Sequence, residues 1–98
     1  MSGPGSRPQG APALDADGVL DVVRAAIVAV LEVDPASVTR ATALVADLRA
    51  DSLALVEIVE IVEERLAPLA RAGFHLDDED LDGLTTVGLA VDYALARL

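Results

Sequence analysis

Ser52 is the candidate functional residue with the most specific surroundings in this chain. It stands in the tripeptide Asp51-Ser52-Leu53, at the start of the strongest amphipathic helical pattern of the sequence. Asp and Ser are ordinary helix-start residues, so the tripeptide by itself indicates only a helix N-terminus. A Ser at such a position is exposed, however, and a phosphate carried on it would face the unpaired amides and the positive end of the helix.

Side chains for catalysis are otherwise nearly absent. His75 is the only His and the chain has no Cys, so it can assemble neither a His-based triad nor a Cys-ligated zinc site. It also has no thiol nucleophile of its own. A lone His in a loop is most often simply solvated or packed. We therefore expect no catalytic residues and no independent enzyme activity.

One segment resembles the start of a calcium-binding loop. Asp78, Asp80, Asp82 and Gly83 match the opening D-x-D-x-D-G of an EF-hand. The bidentate acid expected at the twelfth position of that loop is replaced by Leu89, which leaves the coordination cage open. We therefore predict no metal site, with a calcium-responsive module as a minor alternative.

The charge of the chain limits the classes of partner. Its 17 acidic and 7 basic side chains give a formal net charge of -10. This charge argues against binding nucleic acid or anionic lipid, both of which attract Lys and Arg, and favours basic protein surfaces. No apolar run approaches the ~20 residues of a membrane span, and no signal peptide is evident. We expect a cytoplasmic monomer that binds neither nucleic acid nor membrane.

The composition predicts one small domain with an aliphatic core. The hydrophobic fraction of 53% is too high for a disordered acidic chain, and only 2% of the residues are aromatic. Gly and Pro are concentrated in the segment Met1–Pro12. We therefore predict a flexible leader over residues 1–14 and a folded domain over residues 15–98.

Three segments have the residue spacing of amphipathic helices. The first starts at Asp15 or Asp17, the second runs from Asp51 to Leu66, and the third follows a Thr cap at position 85 or 86. The apolar stripes are Leu20, Val23, Ile27, Val30 and Leu31; Leu55, Ile58, Val59, Val62 and Leu66; and Val87, Ala90, Val91, Ala94, Leu95 and Leu98.

The segments between these helices have no sustained period. Residues 34–50 and 69–76 are predicted loops, and residues 77–82 a short helical turn. Because no strand-like alternation is present, we predict an all-α fold: a small bundle of three main helices plus one short helix, with long loops. The residues predicted to anchor the first loop in the core are Val38, Leu44, Val45 and Leu48.

The surroundings of Ser52 resemble the acyl carrier proteins of fatty-acid and polyketide synthesis. The stretch is Asp47-Leu48-Arg49-Ala50-Asp51-Ser52-Leu53, followed by Val56-Glu57 in an acidic, apolar helix. The Leu84-Thr85-Thr86-Val87 entry to the last helix and the closing Ala90-Val91-Asp92-Tyr93 are also similar to that family. The resemblance covers roughly residues 18–98, and the combination of pieces is specific although each piece alone is not.

The resemblance implies that Ser52 carries 4'-phosphopantetheine from coenzyme A through a phosphodiester, with Asp51 and Leu53 beside it. The arm would supply the thiol that the chain lacks, so that Ser52 is a tether for thioester-linked intermediates. The implied partners are a phosphopantetheinyl transferase, an acyltransferase or acyl ligase, and a ketosynthase or other pathway enzymes with basic docking patches. The residues predicted to meet them are Asp47, Arg49, Leu53, Val56, Glu57, Glu60, Glu63 and Glu64.

Three departures from the family pattern favour a specialised pathway. Arg49 stands where the family commonly has Gly, Ala54 replaces a residue that is often acidic, and the chain is several residues longer between Leu66 and Asp77. We expect polyketide or related secondary-metabolite synthesis rather than housekeeping fatty-acid synthesis. The alternatives are a peptidyl or aminoacyl carrier of a nonribosomal peptide or hybrid pathway, and an acidic helical protein-binding module without a prosthetic group.

Overall fold

The computed structural model of the chain describes residues 15–70 and 78–98. The predicted leader over residues 1–14, most of the second predicted loop and His75 lie outside the described residues.

Within the described ranges the chain is helical. The α-helices are α1 (Ala16–Leu31), α2 (Ser52–Leu66) and α3 (Val87–Ala96). Shorter 3₁₀ segments lie at Pro35–Ser37, Ala67–Leu69 and Asp78–Gly83. The same residues contain no strand, and one isolated antiparallel bridge joins Ala43 to Thr86. The predicted all-α bundle is confirmed. None of the helices in these two ranges has the length and apolar character needed to cross a membrane.

Each α-helix begins at a residue whose side chain caps it. Asp15, Asp51 and Thr86 accept hydrogen bonds from the backbone N–H three residues later, at 2.8, 2.8 and 3.2 Å. Such caps satisfy one of the amides that the first helical turn leaves without a partner. The structure therefore selects Asp15 over Asp17 and Thr86 over Thr85 among the predicted starts.

The core is aliphatic and is built around α1, which packs against both α2 and α3. Its members are Val19, Val22, Val23, Ala26, Ile27, Val38, Leu44, Ile58, Val62, Leu66, Val87, Val91 and Ala94. Half-buried apolar residues surround it, including the predicted stripe residues Leu20, Leu55, Val59 and Leu95. The apolar stripes of the helices thus face the core as predicted, and some residues of each stripe are only half-buried.

One predicted core anchor is wrong. The Val45 side chain is 58% exposed, whereas Val38 and Leu44 are buried and Leu48 is half-buried. The N–H of Leu44 donates to the carbonyl of Thr85 at 3.0 Å, and this bond holds the buried Leu44 against the start of α3. The following residue then faces outward, because the chain turns over residues 44–48.

Backbone hydrogen bonds also join the first loop to the start of α3 and connect the end of the loop, just before α2, to its middle. The N–H of Val87 donates to the carbonyl of Thr42 at 2.9 Å, and the N–H of Ala50 donates to the carbonyl of Leu44 at 3.0 Å. Ala50 is buried and lies two residues before the first residue of α2. The loop therefore fixes where α2 starts relative to α3.

Candidate functional site

Ser52 is the first residue of α2 and its side chain is exposed. The preceding residue, Asp51, has extended backbone angles (φ -89°, ψ 179°) and is the N-cap. Its carboxylate accepts from the N–H of Ala54 at 2.8 Å, and its carbonyl accepts from the N–H of Leu55 at 3.0 Å. Asp51 therefore caps the first turn of α2. The Ser52 side chain remains exposed to solvent.

The amides nearest to the Ser52 hydroxyl are still available. The N–H groups of Ser52 and Leu53 have no hydrogen-bond partner among the residues that the structure describes. Unpaired amides at a helix N-terminus, together with the helix dipole, stabilise a negative charge placed beside them. An exposed hydroxyl with two free amides beside it fits a phosphodiester, so these residues are compatible with the group that the sequence predicts.

Arg49 adopts a backbone conformation that favours glycine. Its φ is 57°, and the only other non-glycine residue with positive φ in the described ranges is Glu32, at the end of α1. The N–H of Arg49 donates to the carbonyl of Val45 at 3.0 Å and closes the turn before α2. This geometry gives a physical reason for the Gly that the resembling family has at this position, because only Gly enters this region without a steric penalty.

Asp47 has a structural role in the same turn. Its carboxylate accepts from the N–H of Ala43 at 2.8 Å, and its own N–H donates to the carbonyl of Ala43 at 3.1 Å. The side chain remains exposed, so it can present charge to a partner while it stabilises the loop.

The outward side of α2 brings together most of the residues predicted to meet partners. Positions 53, 56, 57, 60 and 64 are separated by three and four residues, so they share one helix face. We call this set the outer face of α2; its members are Leu53, Val56, Glu57, Glu60 and Glu64, all of which are exposed. Leu53 is 68% and Val56 40% exposed. Glu63 lies beside this face and is half-buried, so less of its side chain is available.

Sequence reasoning missed one exposed apolar residue near the site, Val45. It lies on the turn that leads into α2, and its carbonyl accepts the N–H of Arg49. Single exposed apolar residues occur on most protein surfaces, so this exposure alone assigns no partner contact to Val45. The loop has no hydrophobic period from which this exposure could have been predicted.

Apolar side chains from the three helices and two loop residues enclose a small cavity of about 40 Å³ beneath α2. This cavity, as the described residues line it, is too small for an extended acyl chain. The residues that line the cavity are Val23, Ile27, Leu44, Leu55, Ile58, Val59, Val62, Leu84 and Ala90.

Asp80, in the segment that resembles a calcium-binding loop, contacts side chains at the end of α3. The Asp80 carboxylate accepts a hydrogen bond from the Tyr93 hydroxyl and lies 3.4 Å from an Arg97 guanidinium nitrogen. The Arg97 guanidinium also stacks on the Tyr93 ring, 3.6 Å from its centroid. Among the side chains that the structure describes, which do not include that of Asp78, no group of three or more acidic, His or Cys residues could hold a metal ion.

Comparisons with known proteins bear on this arrangement. The family described as "Phosphopantetheine attachment site" matches residues 21–94 of the chain. The fold is similar to the solved structure of an acyl carrier protein from Enterococcus faecalis, with a TM-score of 0.66 and 29% sequence identity. That alignment covers 85% of this chain and 98% of the other. The chain therefore belongs to the acyl carrier protein family, whose members bear 4'-phosphopantetheine and act as carriers rather than enzymes.

Proposed function

We propose that Ser52 is the residue that carries the 4'-phosphopantetheine arm. The observation behind this proposal is the exposed Ser52 hydroxyl at the first position of α2, next to two amides with no partner among the described residues. The other serine in the described ranges, Ser37, is a poorer candidate because its hydroxyl donates to the carbonyl of Asp34 at 2.6 Å.

The attachment is a phosphoryl transfer to the Ser52 oxygen. A bond forms between Ser52 Oγ and the phosphorus that bears pantetheine, while the pyrophosphate P–O bond of coenzyme A breaks and adenosine 3',5'-bisphosphate leaves. The hydroxyl proton passes to a base of the phosphopantetheinyl transferase. The product is a phosphodiester whose negative charge is stabilised by the N–H groups of Ser52 and Leu53.

Once attached, the arm supplies a thiol on which acyl groups are held as thioesters. The chain itself contributes recognition. Leu53 and Val56 offer apolar contact area close to the attachment point, and the acids of the outer face of α2 attract basic patches on partner enzymes. Such charges raise the rate of association more than they raise affinity. Asp47, Arg49 and Glu63 lie at the margin of this surface and are proposed as secondary contacts.

The proposal is tested by loading the purified chain with coenzyme A and a broad-specificity phosphopantetheinyl transferase. We expect a gain of about 340 Da in intact mass, no gain in Ser52→Ala and a full gain in the matched control Ser37→Ala. Circular dichroism shows whether each variant keeps its helical content. A gain that persists in Ser52→Ala would contradict the assignment. A fully folded chain that gains no mass would instead support an acidic binding module without a prosthetic group.

We further propose that the carrier serves polyketide or related secondary-metabolite synthesis. We also propose that its carrier domain spans residues 15–98 and that it acts as a monomer in the cytoplasm. The support is the departure from the family pattern at Arg49, the apolar Ala54, which is buried in the structure, and the longer segment after α2. A malonyl-loaded chain offered separately to a polyketide ketosynthase and to fatty-acid elongation enzymes should be extended faster by the first.

A peptidyl or aminoacyl carrier is the second candidate for this pathway. The D-S-L form of the attachment sequence favours an acyl over an aminoacyl cargo. Efficient loading by an amino-acid adenylating enzyme, combined with no loading by a malonyl-transferring acyltransferase, would reverse this preference.

A further inference from the structure

We propose that the Arg49 guanidinium pairs with the phosphodiester on Ser52 and so restrains the base of the arm. In this role Arg49 is a positioning residue: it acts on the tether and not on the reacting thioester. The inference rests on the proposed attachment at Ser52. It assigns to Arg49 a contact with the phosphodiester of its own chain.

The backbone at Arg49 is held in place by its neighbours. The φ of 57° is accompanied by two hydrogen bonds, from the N–H of Arg49 to the carbonyl of Val45 and from the N–H of Ala50 to the carbonyl of Leu44, each 3.0 Å long. Since Ala50 is buried, the turn cannot swing away from the start of α2. The side chain of Arg49 therefore projects from a fixed point beside Ser52.

The Arg49 side chain is exposed and forms no ion pair within the described part of the chain. By contrast, three other arginines form ion pairs with aspartates: Arg24 with Asp21 at 3.1 Å, Arg40 with Asp92 at 2.8 Å and Arg97 with Asp80 at 3.4 Å. Arg65, at the far end of α2, likewise has no ion pair among the described residues. Arg49 is thus free to pair with an anion that arrives later.

The distance and the chemistry suit a phosphate. Ser52 is three positions after Arg49, and three positions span at most about 10–11 Å of backbone. This distance is within reach of the long arginine side chain. Guanidinium binds phosphate oxygens through paired, charge-assisted N–H bonds. The two free amides at the start of α2 and this guanidinium would then contact different oxygens of one phosphodiester.

The test compares the apo and loaded chains by NMR and by thermal unfolding. The Nε–Hε signal of Arg49 should shift on loading. The signal of Arg65, which is exposed at the far end of α2 and also has no ion pair among the described residues, should not shift. The variants are Arg49→Gln and Arg49→Lys, which keep Cβ and therefore the same backbone restriction, and Arg65→Gln as the matched control.

We expect Arg49→Gln to change the ³¹P chemical shift of the loaded chain. It should also reduce, by about 2–6 °C, the increase in Tm that loading produces. Arg49→Lys should restore part of that gain, and Arg65→Gln should leave both quantities unchanged. The pairing alone would be overturned if the added mass is present, but loading does not shift the Arg49 Nε–Hε signal and the Arg49 substitutions do not shift the ³¹P signal. Absence of the added mass would overturn the attachment at Ser52 instead.

Discussion

The backbone N–H of Gly88 donates to the carbonyl oxygen of Arg40 at 2.8 Å, and a Cβ at position 88 would lie 2.9 Å from that oxygen. Glycine is required here for space, because no larger residue lets the first turn of α3 approach the loop so closely. The side chain of Arg40 adds an ion pair to Asp92 at 2.8 Å. This contact closes α3 against the loop that sets the position of Ser52.

Gly88→Ala should therefore destabilise the carrier. Overpacking of a tight contact costs about 1–3 kcal/mol, which exceeds or offsets the gain of about 1 kcal/mol that Ala brings to a helix. The matched control is Gly83→Ala, since a Cβ at position 83 meets nothing within 4 Å. Urea unfolding of both variants measures the difference, and equal stability of the two would contradict the close approach.

Asp51→Ala should lower stability through loss of the α2 cap. Its carboxylate accepts the N–H of Ala54 at 2.8 Å, and removal of an N-cap acceptor costs about 0.5–2 kcal/mol. Asp51→Asn keeps an acceptor of the same shape and should retain most of this stability. If both variants unfolded at the same denaturant concentration, the charge rather than the cap would be the important property of Asp51.

These helix starts were accessible from the sequence because capping is local. A side-chain acceptor, an amide three residues later and an apolar stripe all lie within one short segment. The caps Asp15 and Thr86 are each one of two residues predicted for their helix start, and Asp51 caps the helix predicted from that residue. The exposure of Leu53 follows from the same helical period. Ser52, the proposed attachment residue, could thus be placed at the start of its helix without any tertiary information.

The parts of the site that depend on tertiary contacts could not be predicted in this way. Val45 is exposed because the hydrogen bond from the Leu44 N–H to the Thr85 carbonyl holds Leu44 in the core, so that the next residue faces outward. The close approach at Gly88 exists only once α3 packs against the loop. The positive φ of Arg49 is set by the turn that the bond to the Val45 carbonyl closes. None of these contacts joins residues of one periodic segment.

Arg49→Gly should stabilise the apo carrier. At φ 57° a residue with Cβ carries a steric penalty of about 1–2 kcal/mol, and glycine loses part of this advantage through its greater freedom when unfolded. We expect a net gain of about 0.5–1 kcal/mol. Arg49→Ala removes the charge but keeps Cβ, so it should show no such gain. A stabilised Ala variant would indicate that charge, not backbone conformation, limits stability here.

Glu60→Gln should slow docking to partner enzymes. Glu60 lies in the middle of the outer face of α2, with Glu57 and Glu64 one turn away on either side, and like charges at this spacing repel each other. The substitution should reduce the association rate with a basic transferase severalfold at low salt, with a smaller change in dissociation. Stopped-flow measurements test this, with Glu32→Gln, an exposed acid at the end of α1, as the control. Equal rates for the two variants would argue against docking through α2.

Added salt should raise the thermal stability of the apo chain. With a net charge of -10, repulsion among the acids opposes the compact state, and at 0.15 M ionic strength the screening length falls to about 8 Å. We expect the Tm to rise by a few degrees between about 0.01 and 0.15 M NaCl. A Tm that does not change over this range would contradict the prediction.

The most direct test of the central claim is a tryptic peptide map of the loaded chain. The chain has no Lys, so trypsin cleaves at arginines and releases the peptide 50–65, between Arg49 and Arg65, in which Ser52 is the only hydroxyl residue. We expect the added mass of about 340 Da on this peptide alone. Added mass on any other peptide would contradict it.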